Sequence, residues 1–196
     1  MADQLFALIL FAFVSTFTPG PNNMMLMTSG ANIGLRRTLP HIMGVALGFG
    51  LMLFLVGVGA KELFAAFPHL HQILNIGCII FLFYLALKIA LSQPPTASNS
   101  SDYRPMTFLS AVLFQWLNPK GWSMALTAVS VYNPEATLVG LLVITVTFIV
   151  VNIPSCTTWV FAGQKISLIL KNAAHVRVFN WLMSGLLVVS TLPMLV

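Results

Sequence analysis

Charge is what this sequence has least of. Asp and Glu together occur four times in 196 residues, and all charged residues make up 7%, against about 25% in an ordinary soluble domain. That scarcity excludes a solvated surface over most of the chain. Cysteine is almost as rare. Cys78 and Cys156 lie in different apolar runs and form no C-x-x-C, which excludes a thiol-transfer pair and leaves two small buried hydrophobes. The carboxylates Asp3, Glu62, Asp102 and Glu135 all stand near the ends of apolar runs or between them. His41 and His175 belong to one side of the layout below, His69 and His71 to the other, so the four do not converge on one metal. With no base and orienter inside one apolar run, an enzyme is not expected, nor a metal or cofactor. The first residues, Met-Ala-Asp-Gln, have no basic stretch ahead of the first apolar run, so that run is expected to be retained as a span.

What is present is apolar: 58% hydrophobic residues and a mean hydropathy of +0.94. A spanning helix needs about 20 apolar residues, and six runs qualify: 5–28, 39–60, 70–91, 108–131, 136–163 and 178–196. The expectation is an all-α membrane protein of six transmembrane helices, one transporter domain over 1–196. Most connections are short, and Asn133-Pro134 marks a tight turn. The exception is 92–105, SQPPTASNSSDYRP, a polar Pro/Ser-rich segment expected to be flexible. It divides the chain into halves 1–91 and 106–196.

The net charge of +5 reads as a topology signal rather than a nucleic-acid footprint. Arg36, Arg37, Lys88, Arg104, Lys165, Lys171 and Arg177 all fall on one side of the six-span layout, with only Lys61 opposite. The positive-inside rule places that side in the cytoplasm and both termini outside. Three spans per half force the halves into opposite orientations, the inverted-repeat plan of many transporters.

Two of the runs are broken at corresponding places. The first contains Thr18-Pro19-Gly20-Pro21-Asn22-Asn23 and the fourth Gln115-Trp116-Leu117-Asn118-Pro119-Lys120-Gly121. Proline removes an N–H and clashes with the carbonyl four residues back. In a membrane such backbone is tolerated only inside protein or along a watery cavity. Thr18-Pro19 and Asn118-Pro119 each read as an N-cap before proline at the first helical position. Two half-helix N-termini would then offer donors to a carboxylate, and the freed carbonyls of Ser15, Phe17 and Gln115 would accept from an ammonium. That suits a zwitterionic amino acid. Lys120 adds a charge where insertion costs about 2.5–3.5 kcal/mol, which marks a functional position. Proline breaks that merely kink helices would fit an accessory or structural membrane protein, the competing reading.

These residues resemble a known family. Thr-Pro-Gly-Pro-Asn at 18–22 with the stretch 30–48, and Asn118-Pro119-Lys120 in the fourth run, are similar to motifs of the LysE/RhtB family of amino-acid exporters. Tyr84-Leu85-Ala86-Leu87-Lys88 and Asn180-Trp181-Leu182-Met183-Ser184-Gly185 are weaker likenesses, and Gly48-Phe49 looks most like the cysteine/O-acetylserine exporter branch. The resemblance implies export of amino acids or derivatives across a bacterial inner membrane, proton exchange as the driving force, and homodimers in contact with membrane lipid. Many members carry an acidic residue where this chain has Phe49. Lys120 or the substrate amino group would then have to carry the proton.

The expected substrate-binding residues are therefore Thr18, Pro19, Gly20, Pro21, Asn22, Asn23, Gln115, Asn118, Pro119 and Lys120. Asn152-Ile153-Pro154 interrupts the fifth run, which makes Asn152 and Pro154 pathway or hinge residues, with Trp159 and Gln164 as further lining positions. Gly44-x-x-x-Gly48 permits close helix contact, within the bundle or across a dimer.

Overall fold

The computed structural model describes residues 2–60, 76, 80, 83–84, 86–87, 89–91, 103, 105–169 and 173–189. Most of the third run and of 92–105 falls outside them, as do Lys61, Glu62, His69, His71, Cys78, Lys88, Asp102, Arg104 and Lys171. The described elements are helical: α1 (Ala2–Phe17), α2 (Pro21–Leu55) closed by a π-turn (Val56–Ala60), α3 (Phe108–Phe114) with a 3-10 turn (Gln115–Leu117), α4 (Pro119–Tyr132), α5 (Leu138–Ile169) and α6 (Ala173–Val189).

The distribution of polarity is inverted relative to a water-soluble bundle. Phe6, Val139, Val146, Trp181 and Leu182 point outward, while Asn23, Ser29, His41, Gln115, Asn118, Asn152 and Ser155 are buried. In water, so much exposed apolar surface would drive association. Against lipid it is the expected exterior.

Both expected breaks are present. α1 stops at Phe17 and α2 starts at Pro21, with Gly20 in extended conformation between them. α3 tightens into the 3-10 turn, Asn118 is extended, and α4 starts at Pro119. The turn at Asn133 also forms, its side-chain oxygen accepting from the Thr137 amide and hydroxyl at 3.0 and 3.1 Å.

The structure sharpens one expectation and corrects two others. First, the short connection expected between the first and second runs is a tight turn. α2 continues through both, turning only at Gly34, whose φ of 74° and ψ of 177° are non-helical. The chain doubles back there: Ser29 Oγ lies 3.4 Å from His41 Nδ1, whereas twelve residues of straight helix would separate them by about 18 Å. Arg36 and Arg37 therefore sit in the first turn of the returning arm, exposed to solvent. Asn32 Nδ2 donates to the Thr28 carbonyl and Thr38 Oγ1 to the Gly34 carbonyl, so side chains satisfy backbone groups on both sides of the turn. Second, α5 is not interrupted at Pro154. It runs unbroken to Ile169, and Thr157 and Thr158 hydroxyls bond the carbonyls of Ile153 and Pro154 at 2.7 and 2.8 Å. Third, Tyr103, within the segment expected to be flexible, is docked on Ser29 at 2.8 Å.

Glycine decides how closely the helices approach. A methyl group on Gly30 would collide with the Val160 carbonyl, and one on Gly163 with the Met27 carbonyl, so the first arm of α2 and α5 touch backbone to backbone. Gly44 and Gly48 do the same against α3, where a Cβ on Gly48 would lie 2.6 Å from Val112 Cα. The Gly44-x-x-x-Gly48 pair thus packs within the bundle. Around these contacts lie apolar clusters, the largest joining Leu8 and Ala12 of α1, Phe49, Met52 and Leu53 of α2, Trp122 and Ala125 of α4, and Ile144 and Phe148 of α5. Gly48→Val should cost at least the roughly 1–3 kcal/mol of core overpacking. The purified protein in detergent should then melt several degrees lower, and an unchanged melting temperature would contradict the close α2–α3 packing.

Candidate functional site

The two breaks meet. Lys120, the second residue of α4, sends its ammonium across to the end of α1, where Nζ donates to the Thr18 carbonyl and Thr18 Oγ1, each at 2.8 Å, and reaches the Pro19 carbonyl at 3.3 Å. Three acceptors match the three donors of an ammonium. The location is also electrostatically apt, since carbonyls at a helix C-terminus carry partial negative charge. Gly20 makes room for this crossing: a Cβ there would lie 2.9 Å from Lys120 Cδ.

A second bridge lies beside the first. Asn22 Nδ2 donates to Gln115 Oε1 at 2.9 Å, and Gln115 Nε2 is 3.4 Å from Asn22 Oδ1. Gln115 Nε2 also donates to the Ala111 carbonyl at 2.8 Å, which fixes the amide's orientation. Asn23 Nδ2 donates to the carbonyls of Thr16 and Thr18, both at 2.8 Å, and Ser155 Oγ of α5 donates to the Thr16 carbonyl at 2.9 Å. The end of α1 is thus held from α2, α4 and α5.

These contacts surround a small, partly open cavity of about 30 Å³. Gly20, Pro21, Asn22 and Asn23 of the first break line it, with Gln115, Asn118, Lys120 and Gly121 of the second. Asn152 of α5 and the α1 residues Ser15 and Thr16 complete the polar wall, and Val45, Phe49 and Met124 form an apolar one. Lys120 is the one ionisable side chain among these lining residues. Asn118 is buried, and its Oδ1 has no hydrogen-bond partner among the described residues. Asn118 and Gly20 occupy the N-cap positions of α4 and α2, and neither helix start has a side-chain cap. First-turn amides have no carbonyl four residues back, so Asn22, Asn23, Lys120 and Gly121 bring donors to the cleft wall.

Of the expected binding residues, Gly20, Pro21, Asn22, Asn23, Gln115, Asn118 and Lys120 converge here. Thr18 and Pro19 stand behind the wall and lend oxygens to Lys120, and Pro119 serves as the first residue of α4. Thr18 is not an N-cap: Gly20 is, and the Thr18 hydroxyl donates back to the Ser15 carbonyl at 2.9 Å. That bond also corrects the expectation of freed acceptors. The Ser15 carbonyl is occupied by Thr18, and the Gln115 carbonyl accepts from the Asn118 amide at 3.1 Å. Of the two α5 positions, Asn152 lines the cleft, its Oδ1 facing the Cys156 thiol at 3.4 Å, while Pro154 is exposed on the far side. Trp159 packs half-buried among apolar clusters beside the first arm of α2, and Gln164 lies next to Gly34. Ser15 was expected only for its carbonyl, and sequence reasoning missed Thr16 and Ser155. Their one signal was a small hydroxyl residue near proline in an apolar run.

Gln115→Leu should strand the Asn22 amide and so remove about 1–3 kcal/mol, the usual penalty for a buried group left unpaired. Thermal unfolding in detergent would register it as a lower midpoint, with Asn22→Leu in the same background recovering part of the loss.

Residues 13–195 match the family described as LysE type translocator. A cysteine/O-acetylserine efflux protein of Klebsiella pneumoniae subsp. pneumoniae is 26% identical over 187 residues, which cover 93% of this chain and 92% of that protein. Proteins of the same description from Escherichia coli O1:K1 and Shigella flexneri are 27% identical over 122 residues, 62% of this chain and of each of theirs. No solved structure matches the chain.

Proposed function

Because the chain belongs to the LysE type translocator family, we propose that it exports small neutral or polar amino acids from the cytoplasm across the bacterial inner membrane. The relatives are described as efflux proteins for cysteine and O-acetylserine, small polar amino acids of this class. The observation that carries the reading is the meeting of two helix breaks around one polar cleft.

The cleft suits a zwitterion. The first-turn amides at Asn22–Asn23 and Lys120–Gly121 are donors for a carboxylate, in the manner of helix N-termini elsewhere. Asn118 Oδ1, buried without a partner among the described residues, is an acceptor for the ammonium. Val45, Phe49 and Met124 bound the remaining space, so the side chain that fits is short. With no carboxylate among the described lining residues, a cationic side chain has no counter-charge from them.

Export requires the cleft to open alternately to the two sides. In this reading the two halves form an inverted pair of three spans each, with both termini outside, and rock about the broken helices. Proton exchange drives the cycle, and two copies associate through a face other than the glycine pair already used inside the bundle.

Lys120→Ala should leave the protein in the membrane and abolish export, since it removes both the bridge and the positive charge at the cleft. Export at the parental rate would refute the central-site assignment. Intracellular amino-acid profiling of a deletion strain against an overexpressing strain should show one or a few small polar amino acids rising in the first and falling in the second. An unchanged profile for every amino acid would overturn the export reading in favour of an accessory protein.

A further inference from the structure

A second buried polar group lies between the cleft and the Gly34 turn. Ser29 Oγ stands 2.8 Å from the Tyr103 hydroxyl and 3.4 Å from His41 Nδ1. Ser29 and His41 are both fully buried. His41 Nε2 has no hydrogen-bond partner among the described residues. A buried imidazole with one nitrogen unpaired is costly unless the vacant lone pair has a use.

Helical spacing ties this group to the cleft. His41, Val45 and Phe49 are four residues apart and share one face of the returning arm. Val45 and Phe49 line the cleft, which places His41 about 6 Å beyond Val45 along the axis. Ser29 follows the cleft residue Asn22 by seven residues, two turns on the same face of the other arm. Tyr103 belongs to the segment between the halves, on the side that the basic residues assign to the cytoplasm.

We infer that His41, with Ser29 and Tyr103, is the proton-carrying site of the exporter, linking the cleft to the cytoplasm. This rests on the export reading above and supplies the proton carrier that the cleft lacks. Phe49 occupies the position where an acidic residue was sought, and the Lys120 ammonium is engaged by three oxygens. The imidazole starts with hydrogen on Nδ1, directed at Ser29. It takes one proton at Nε2 from water in the outward-open cleft. It then gives the Nδ1 proton to Ser29 Oγ as the Ser29 proton passes to Tyr103 and the Tyr103 proton to cytoplasmic water. One proton enters, one leaves, and only N–H and O–H bonds change; the ring, now carrying its hydrogen on Nε2, must then turn to bring that N–H to Ser29 and its bare nitrogen to the cleft before the next proton. Burial pushes the Tyr103 phenol up to about 12, so it remains an O–H able to pass a proton on.

Few other ionisable groups surround the imidazole. On its own arm Arg37 stands one turn nearer the helix start and is exposed. Its positive charge favours proton release on that side. The first arm of α2 contributes Ser29, and α3 has no titratable residue. α5 contributes the Cys156 thiol, turned to Asn152, and the exposed Lys165. α6 carries His175 and Arg177, both exposed.

The test uses the full-length protein in liposomes with the membrane potential clamped, labelled cysteine kept reduced as the probe, and a pH-sensitive dye inside. With one proton exchanged per amino acid, a one-unit pH difference should let the parent sustain about a ten-fold cysteine ratio. His41→Gln should keep gradient-free cysteine exchange within about two-fold of the parent while the sustained ratio falls to about one and the dye signal disappears. Tyr103→Phe, at the cytoplasmic end and little able to disturb folding, should slow the dye signal several-fold with exchange intact. A His41→Gln or Tyr103→Phe protein that builds the parental ratio with parental proton flux would overturn the assignment. So would a parent that exchanges cysteine without moving protons, leaving the export reading in place. A parent that exchanges neither cysteine nor any other amino acid would overturn the export reading itself.

Discussion

The structure depends on one ammonium group. Lys120 begins in one half of the chain and ends its side chain on the carbonyls that close α1 in the other. Remove that charge and the end of α1 loses its neutralising partner, the two breaks lose their tie, and the cleft loses its positive potential. A lysine in an apolar run is costly to insert, and here the cost is offset by complete hydrogen bonding. Its position follows from Pro119. α4 starts at that ring, which places Lys120 in the first turn, facing the gap where Thr18, Pro19 and Gly20 are not helical.

Around this tie the bundle handles its polar groups as a lipid-embedded protein must. Backbone freed by proline is taken up by nearby hydroxyls and amides: Thr18 on Ser15, Asn23 on Thr16 and Thr18, Ser155 on Thr16. At the second break, Asn118 Oδ1 is left open, and its residue lines the cleft. The uncapped first turns of α2 and α4 and the carboxamide of Asn118 form a short list of groups able to bind something else. The close glycine contacts of α2 with α3 and α5 hold this arrangement without bulk, because small residues let backbones touch where side chains would keep them apart.

Much of this was legible in the sequence, for physical reasons that differ by element. The membrane class followed from the scarcity of charge. The two breaks followed from proline chemistry, which is local, at places where a cap residue or glycine stands beside the ring. Their meeting was expected from the matched placement of Pro19 and Pro119, and seven of ten expected site residues converge on the cleft. What could not be read was where each freed hydrogen bond would go. Thr18 looked like a cap, but the next helix starts later, at Pro21, and the hydroxyl found a carbonyl three residues back. Pro154 looked like an interruption, yet the helix continues through it to Ile169. Nor did composition reveal that Tyr103, in a polar stretch, would find Ser29.

The turn at Gly34 has a mechanical meaning. A single residue joins the arm that starts at the first break to the arm that carries Val45 and Phe49. No slack loop intervenes to absorb displacement. The arm from Pro21 to the turn is about 20 Å long, so a small tilt at its cleft end becomes a larger sweep at Gly34 and is handed directly to the returning helix. The first two spans therefore behave as one bent lever. Asn22 on one arm and Phe49, Val45 and His41 on the other are joined through that one turn of backbone.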